Sequence, residues 1–168
     1  MLKVLLDTNI LLDVALRREP WYDASKRLIE AGQNGLRMRA GVASLSLKDV
    51  YFVITKRASE ADARKYLHFI AQSCEILSVD AKACAMALAG PESDFEDGLI
   101  AAAAIQGGAD IIISRDEAAF NNLPIPKIDP RVFADFFLVD SPYPSQTDEH
   151  WAVITIPDGD TENGRVLA

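Results

Sequence analysis

The sequence contains few of the residue types on which several common classes of site depend. Its two cysteines, Cys74 and Cys84, have neither the spacing of a zinc motif nor enough partners for a disulfide framework. Its two histidines, His68 and His150, fall in a predicted amphipathic helix and near the C-terminal end of the chain. We therefore expect reduced thiols, and chemistry that does not require histidine.

Long apolar runs are also absent from the chain. The opening stretch Met1–Leu6 is interrupted by Asp7, so it is too short for the core of a signal peptide. No later stretch approaches the ~20 apolar residues that a membrane-spanning helix needs. Together with the lack of cysteine pairs, these absences predict a cytoplasmic protein that does not associate with membranes.

The acidic residues are unevenly distributed along the 168 residues of the chain. The net charge of −8 disfavours nucleic-acid binding if it is averaged over the chain. However, residues 140–168 carry six acidic residues and three prolines against one basic residue, which leaves a net charge of −3 on residues 1–139. We predict one domain over residues 1–139 and, docked on it, an acidic, proline-containing extension over residues 140–168.

Basic residues within the predicted domain occur largely as adjacent pairs. Each pair is compatible with a solvated helix face, but together they also allow contacts with phosphate groups. The pairs are Arg17-Arg18, Lys26-Arg27, Lys56-Arg57 and Arg64-Lys65.

Short apolar segments alternate with helical patterns along the predicted domain. Continuous apolar runs such as Ile111–Ile113, within the predicted strand Ala109–Ile113, are typical of a parallel sheet that is covered on both faces. The alternation therefore predicts a three-layer α/β/α fold with a short, mainly parallel central sheet. Asn9 and Ser44 are expected to cap the helices that follow the first two strands. The predicted strands are Val4–Leu6, Leu36–Ala43, Glu75–Val79, Ala109–Ile113 and Pro124–Ile128.

Four aspartates stand where predicted strands end or predicted helices begin. Asp7 and Asp116 each follow an apolar strand, and ligands bind beyond the carboxyl ends of the strands in such a sheet. Asp49 and Asp97 lie near the starts of helices that are expected to pack over the same edge. Converging carboxylates repel one another and raise each other's pKa unless a cation neutralises them. An oxygen-only ligand set favours Mg²⁺ or Mn²⁺, which predicts metal-assisted chemistry on a phosphate ester.

Several of these acids also have a purely structural interpretation. Asp116 can cap a short helix, and Asp49 belongs to a helix-start pattern. Asp94 and Asp97 are three residues apart on one helix face, and Ser93–Glu96 is also a capping-box sequence. Of these two acids, we assign Asp97 to the metal.

Three segments carry a family resemblance when they are taken together and in order. The first is Val4–Asn9, an apolar strand ending in Asp-Thr-Asn. The second is Asp97–Ala104, which has the form D-x-x-x-A-A-x-A. The third is Ile111–Asp116 followed by Phe120, which is similar to T-x-D-x-x-F but has serine for threonine and one more residue before the phenylalanine. These segments resemble the PIN-domain family of metal-dependent ribonucleases, especially its VapC-like toxin branch. The resemblance covers residues 2–138.

The resemblance implies an acidic quartet made of Asp7, Asp49, Asp97 and Asp116. Within the quartet, Asp7, Asp97 and Asp116 are expected to bind Mg²⁺ or Mn²⁺ directly. The position of Asp49 is usually a glutamate in the family, and the aspartate is one methylene shorter. We therefore expect Asp49 to act on the metal through a water molecule.

The resemblance also implies three supporting polar residues, Asn9, Asp94 and Ser114, and a set of partners. Ser114 stands where the family more often has threonine. The implied substrate is RNA, the implied protein partner is an antitoxin that blocks the site, and the implied assembly is a homodimer.

Three other functions compete with a toxin ribonuclease. A haloacid-dehalogenase-like phosphatase also has an aspartate after its first strand, but it needs a second aspartate two positions later, where this chain has Asn9. A PIN fold that only binds RNA or protein stays open, because Asp49 departs from the family pattern. A housekeeping RNA-processing nuclease would carry the same acids. The sequence therefore predicts a metal-dependent endoribonuclease, with its biological role left open.

Overall fold

The computed structural model describes residues 1–35 and 37–138 of the chain. The extension predicted over residues 140–168 lies outside the described residues, so the boundary at residue 139 stays a prediction. In chain order the elements are β1 (Leu2–Leu6), α1 (Thr8–Ala15), α2 (Tyr22–Asn34), β2 (Met38–Ala43), α3 (Ser44–Arg57), α4 (Glu60–Ser73), β3 (Glu75–Leu77), α5 (Ala81–Ala89), α6 (Phe95–Gln106), β4 (Ile111–Ile113), β5 (Lys127–Ile128) and α7 (Pro130–Phe137).

The five strands form one parallel sheet in the order β3-β2-β1-β4-β5. The chain first builds the sheet outward from β1 to β3, and then returns to add β4 and β5 on the other side of β1. The strand order therefore reverses between β1 and β4, where ligands bind in open sheets of this kind. The predicted α/β/α class with a short parallel sheet is confirmed, although β3, β4 and β5 are shorter than predicted.

Alternating side chains along the strands enter two separate cores. Val4 and Leu6 of β1 face one core with Ile111 and Ile113 of β4. Leu5 faces the other core together with the middle isoleucine of β4 and the alanine run of α6. Because successive strand residues point to opposite faces, a continuous apolar strand supplies both layers of helices. The alanine side chains are small enough for α6 to lie close against the sheet.

Two predicted helix caps are wrong, and both errors concern where the helix begins. Asp7 is the N-cap residue of α1, so Asn9 lies within the first turn. Ala43 is the N-cap residue of α3, and the hydroxyl of Ser44 instead accepts a hydrogen bond from the backbone N–H of Val79. Local propensity favours asparagine and serine at caps, but in both cases the helix begins directly at the strand end.

None of the helices in residues 1–35 and 37–138 combines the length and the apolarity that crossing a membrane requires.

Gly32 is the point of closest approach between α2 and the sheet. A methyl group at this position would overlap the Cβ atom of Ala40 on β2. We expect Gly32→Ala to lower the free energy of unfolding by about 1–3 kcal/mol, because overpacking outweighs the gain in helix propensity. Urea denaturation measures the change, with the exposed Asn34→Ala on the same helix as the control. An unfolding free energy equal to or above that of the wild type would contradict this packing.

Candidate functional site

Asp7 occupies the end of β1, beside β4, where the strand order reverses. Its backbone N–H donates to the carbonyl oxygen of Ile113 at 3.0 Å, which continues the pairing of β1 with β4 by one residue. Its side chain is only 3% exposed, and Oδ2 accepts hydrogen bonds from Ser114 Oγ at 2.7 Å and from Asn9 Nδ2 at 3.3 Å. Burial raises the pKa of Asp7 despite these bonds, and the charge of Asp116 raises it further. The carboxylate is therefore held in one orientation with its charge poorly compensated.

Ser114 links the first aspartate to the last one. While its hydroxyl donates to Asp7, Oγ accepts a hydrogen bond from the backbone N–H of Asp116 at 3.0 Å. Asp116 Oδ1 accepts from the backbone N–H groups of Ala118 and Ala119, so this carboxylate holds a turn, but the predicted short helix that it would cap does not form between β4 and β5. Both bonds use Oδ1, and neither involves Oδ2.

Lys127 of β5 stabilises the loop that carries Asp116. Its ammonium group donates to three backbone carbonyl groups, those of Asp116, Glu117 and Ala119, at 2.7–3.2 Å. Three bonds from one cation restrict the loop, because ammonium donors bond strongly to backbone oxygens.

Asp97 lies in the first turn of α6 and faces the same edge of the sheet. Burial raises its pKa to about 7, with further contributions from the negative charges of Asp7, Asp94, Asp116 and Glu92. Asp94 is the N-cap residue of α6, and its Oδ1 accepts from the backbone N–H groups of Glu96 and Asp97. Asp94 therefore orients the helix start and also adds negative charge at Asp97.

Asp49 lies in the second turn of α3. Its Oδ1 forms an ion pair with Lys48 Nζ at 2.6 Å, and Oδ2 is buried with no hydrogen-bond partner among the described residues. Its charge acts on Glu96, whose pKa is raised first by burial and then by Asp49. The structure thus brings Asp7, Asp97 and Asp116 within electrostatic reach of one another, and it places Asp49 beside Glu96.

Two glutamates near the site were missed by the sequence reasoning. Glu92 connects the two loops at the edge of the sheet, because its Oε2 accepts from the backbone N–H of Phe120 at 2.9 Å. Phe120 has a φ of 61°, an unfavourable conformation for a bulky residue, which this bond helps to hold. Glu96 was seen only as part of the capping pattern. Glu92 belongs to no recognised motif, and the capping pattern does not indicate that Glu96 lies beside Asp49, so only the folded chain reveals these positions.

The carboxylate oxygens of the site are ligands of the kind that a hard divalent cation prefers. Among residues 1–35 and 37–138, no lysine or arginine pairs with Asp7, Asp97 or Asp116, and the oxygen ligands match Mg²⁺ or Mn²⁺. The raised pKa values show that negative charge is concentrated there. However, within the same described residues no three acidic, histidine or cysteine side chains form a ready-made metal-binding group. The site is electrostatically suited to a cation, but its ligands are not preassembled.

A family model for the PIN domain matches residues 3–118. The chain belongs to the PIN domain family. The resemblance inferred from the sequence segments is therefore confirmed, and the alternative of a haloacid-dehalogenase-like phosphatase is left without support. A comparison with curated protein sequences gave no match.

Solved structures of toxin proteins share this fold. A toxin–antitoxin complex from Klebsiella pneumoniae gives a TM-score of 0.59 and 20% identity, over 76% of this chain and 97% of that chain. VapBC2 from Rickettsia felis, bound to a DNA fragment from their promoter, gives a TM-score of 0.58 and 18% identity, over 76% of this chain and 98% of that chain. VapC20 from Mycobacterium tuberculosis, a sarcin–ricin loop cleaving toxin, gives a TM-score of 0.52 and 14% identity, over 65% of this chain and 86% of that chain. At these identities the likeness establishes the fold.

The raised pKa of Asp97 predicts a pH-dependent loss of stability in metal-free protein. Its pKa is about 7 in the folded state against an ordinary value of 3.8, so Asp97 favours folding at low pH. That contribution is lost as the pH rises through about 7. We expect Asp97→Asn to reduce this loss when the free energy of unfolding is measured by urea denaturation in EDTA between the ordinary pKa of 3.8 and the folded-state pKa of about 7. The control is Asp110→Asn, the same change just before β4, and equal pH dependence in both variants would show that Asp97 is not repelled by its neighbours.

Proposed function

We propose that this PIN domain is a divalent-metal-dependent endoribonuclease, and that it acts as the toxin of a type II toxin–antitoxin pair. The observation that carries the proposal is the group formed by Asp7, Asp97 and Asp116 at the reversal of strand order, with its charge uncompensated. A cation bound there supplies charge neutralisation and a water molecule of lowered pKa. The proposed reaction is in-line attack of water on an RNA phosphodiester, which leaves a 3′-hydroxyl and a 5′-phosphate.

Each residue of the site has a distinct proposed role. Asp7 and Asp97 hold Mg²⁺ or Mn²⁺ most directly, and Asp116 completes the set through Oδ2. Ser114 and Asn9 keep the Asp7 carboxylate in a fixed orientation through their hydrogen bonds to Oδ2.

The outer positions of the site have supporting roles. Asp94 holds the start of α6 so that Asp97 faces the sheet edge. Asp49 acts from further away, on the cation through water or on the attacking water itself. The ion pair with Lys48 and the closeness to Glu96 support this more distant role.

The proposed partners follow from the proteins that share the fold. Two of them are complexes of a toxin with its antitoxin, and one is a toxin described as cleaving the sarcin–ricin loop. We infer an RNA substrate, an antitoxin protein that covers the acidic site, and a homodimeric assembly. A housekeeping nuclease would use the same residues, and a short antitoxin gene beside this one would distinguish the two roles.

A binding module without nuclease activity is the second candidate function. The position of Asp49 favours it, because this acid pairs with Lys48 and lies beside Glu96, whereas Asp7, Asp97 and Asp116 form the main group. A PIN domain in this state would still bind RNA or protein but would not cut a phosphodiester.

Cleavage of a mixed pool of RNAs tests the proposal, with Mg²⁺, Mn²⁺ or EDTA in parallel reactions. We expect the wild type to cut only with metal, and Asp7→Asn to lose cleavage, because the amide cannot supply the charge that holds the cation. The free energy of unfolding of this variant should equal or exceed that of the wild type, since a buried, repelled charge is removed while an oxygen still accepts from Ser114.

The matched control for this test is Asp110→Asn at the opposite end of the sheet. Its Oδ2 accepts a hydrogen bond from the backbone N–H of Lys3, and an asparagine oxygen can replace it. This variant should cut as the wild type does. Folded wild type that cuts no RNA in either metal supports the binding module, and equal cutting by wild type and Asp7→Asn would remove Asp7 from the chemistry.

A further inference from the structure

Two arginines are gathered around a fully buried carboxylate on α1, next to the acidic site. Asp13 is 0% exposed, and Arg115 Nε lies 3.1 Å from its Oδ2. Arg18 Nη1 lies 3.9 Å from its Oδ1. Asp13 has no hydrogen bond of good geometry among the described residues, so it acts on the arginines mainly through its charge. One buried negative charge thus holds together two guanidinium groups that would otherwise repel each other.

Trp21 adds a third arginine to this arrangement. The guanidinium group of Arg115 lies 4.5 Å from the centre of the Trp21 ring, and that of Arg131, on α7, lies 5.6 Å from it. Cation–π contacts of this kind orient a guanidinium group without using its hydrogen-bond donors. The contacts with Trp21 therefore leave the hydrogen-bond donors of both arginines unused by the ring.

Arg57, at the end of α3, belongs to the same electrostatic environment. Burial lowers the pKa of Arg18, Asp13 raises it, and the positive charges of Arg115 and Arg57 lower it again. We call Arg18, Arg57, Arg115 and Arg131 the arginine cluster. Arg57 and Arg131 are exposed, whereas the side chains of Arg18 and Arg115 are 32% and 23% exposed.

The arginine cluster is locally cationic on a chain whose net charge is −8. Within residues 1–35 and 37–138, its contacts with acids are limited to Asp13 and to Asp129, whose Oδ1 lies 3.6 Å from Arg131 Nε. The cluster also borders the acidic site directly. Arg115 separates Ser114 from Asp116 in the chain, and the charge of Asp7 acts on Asp13.

We propose that the arginine cluster is a binding site for the phosphodiester backbone of single-stranded RNA, and that Asp13 is the positioning residue that holds Arg115 and Arg18 in place. The inference rests on the proposed function, because it supplies the surface along which an RNA strand enters the acidic site. Arginine suits this role because its planar fork can donate two hydrogen bonds to one phosphate. The acidic site repels RNA in the absence of a cation, so an adjoining cationic surface provides the attraction that binding needs.

Salt-dependent RNA binding tests the arginine cluster separately from cleavage. All proteins carry Asp7→Asn, and the affinity for a fluorescently labelled single-stranded RNA is measured by anisotropy in EDTA at increasing KCl concentrations. The logarithm of the binding constant falls with the logarithm of salt by about 0.7 for each phosphate contact to a single strand. Arg57→Ala with Arg131→Ala should therefore reduce the slope by about 1.4.

The control for this variant removes the same charge from the opposite end of the sheet. Arg37→Ala with Arg39→Ala eliminates two exposed arginines at the start of β2. We expect this pair to keep the slope of the parent protein. Equal slopes in the two double variants, or no measurable binding of the parent at low salt, would overturn the proposal. Equal slopes with binding retained would make the cluster a contact surface for a protein.

A second pair of substitutions tests the contribution of Arg115 to RNA binding without changing the net charge. Asp13→Asn with Arg115→Gln removes both members of the buried ion pair, so neither charge is left alone in the interior. We expect the slope to fall by about 0.7, although the total charge of the protein is unchanged. A slope equal to that of the parent would exclude Arg115 from RNA binding. If this variant does not fold, the exposed substitutions Arg57→Ala and Arg131→Ala alone decide whether the arginine cluster binds RNA.

Cleavage assays keep this inference distinct from the proposed function. RNA binding that depends on the arginine cluster, together with a folded wild type that never cuts, would reject the nuclease and retain the binding site. Cutting by the wild type, together with slopes unaffected by the arginine substitutions, would reject the binding site and retain the nuclease.

Discussion

The burial of the Asp7 carboxylate at the end of β1 is the constraint on which the site depends. Its backbone N–H continues the pairing with β4, and its side chain is fixed by Ser114 and Asn9. A buried carboxylate with only neutral hydrogen-bond donors is costly, because burial removes the water that stabilises its charge. A cation offsets this cost, so the same arrangement that destabilises the empty site favours the ion.

The parallel sheet determines which groups meet at this point. Because β1 lies between β2 and β4, the ends of β1 and β4 are adjacent, although Asp7 and Ser114 are far apart in the chain. The helix α6 brings Asp97 to the same edge, and its alanine run allows the close packing that this requires. The charges of Asp7 and Asp116, from two other segments, then help to raise the pKa of Asp97. Charges of the opposite sign lie next to them, around Asp13.

Sequence patterns located the strong features of this protein and missed the weak ones. The apolar strand before Asp7, the D-x-x-x-A-A-x-A segment and the strand before Asp116 indicated the sheet, the helix α6 and the three acids that meet. Both predicted caps failed, because a helix start at a strand end is set by the strand and not by a nearby capping side chain. Glu92 carried no periodic or motif signal, and Glu96 was marked only as part of a capping pattern.

The sequence by itself determined the fold class, the family and the identity of the main acids, because these follow from local apolar patterns and short motifs. The tertiary structure decided how the acids are grouped. It placed Asp49 beside Lys48 and Glu96, and it assembled arginines from four elements or loops around Asp13 and Trp21. Such groupings depend on the distances between segments remote in sequence, and those distances are set only when both faces of the sheet are packed.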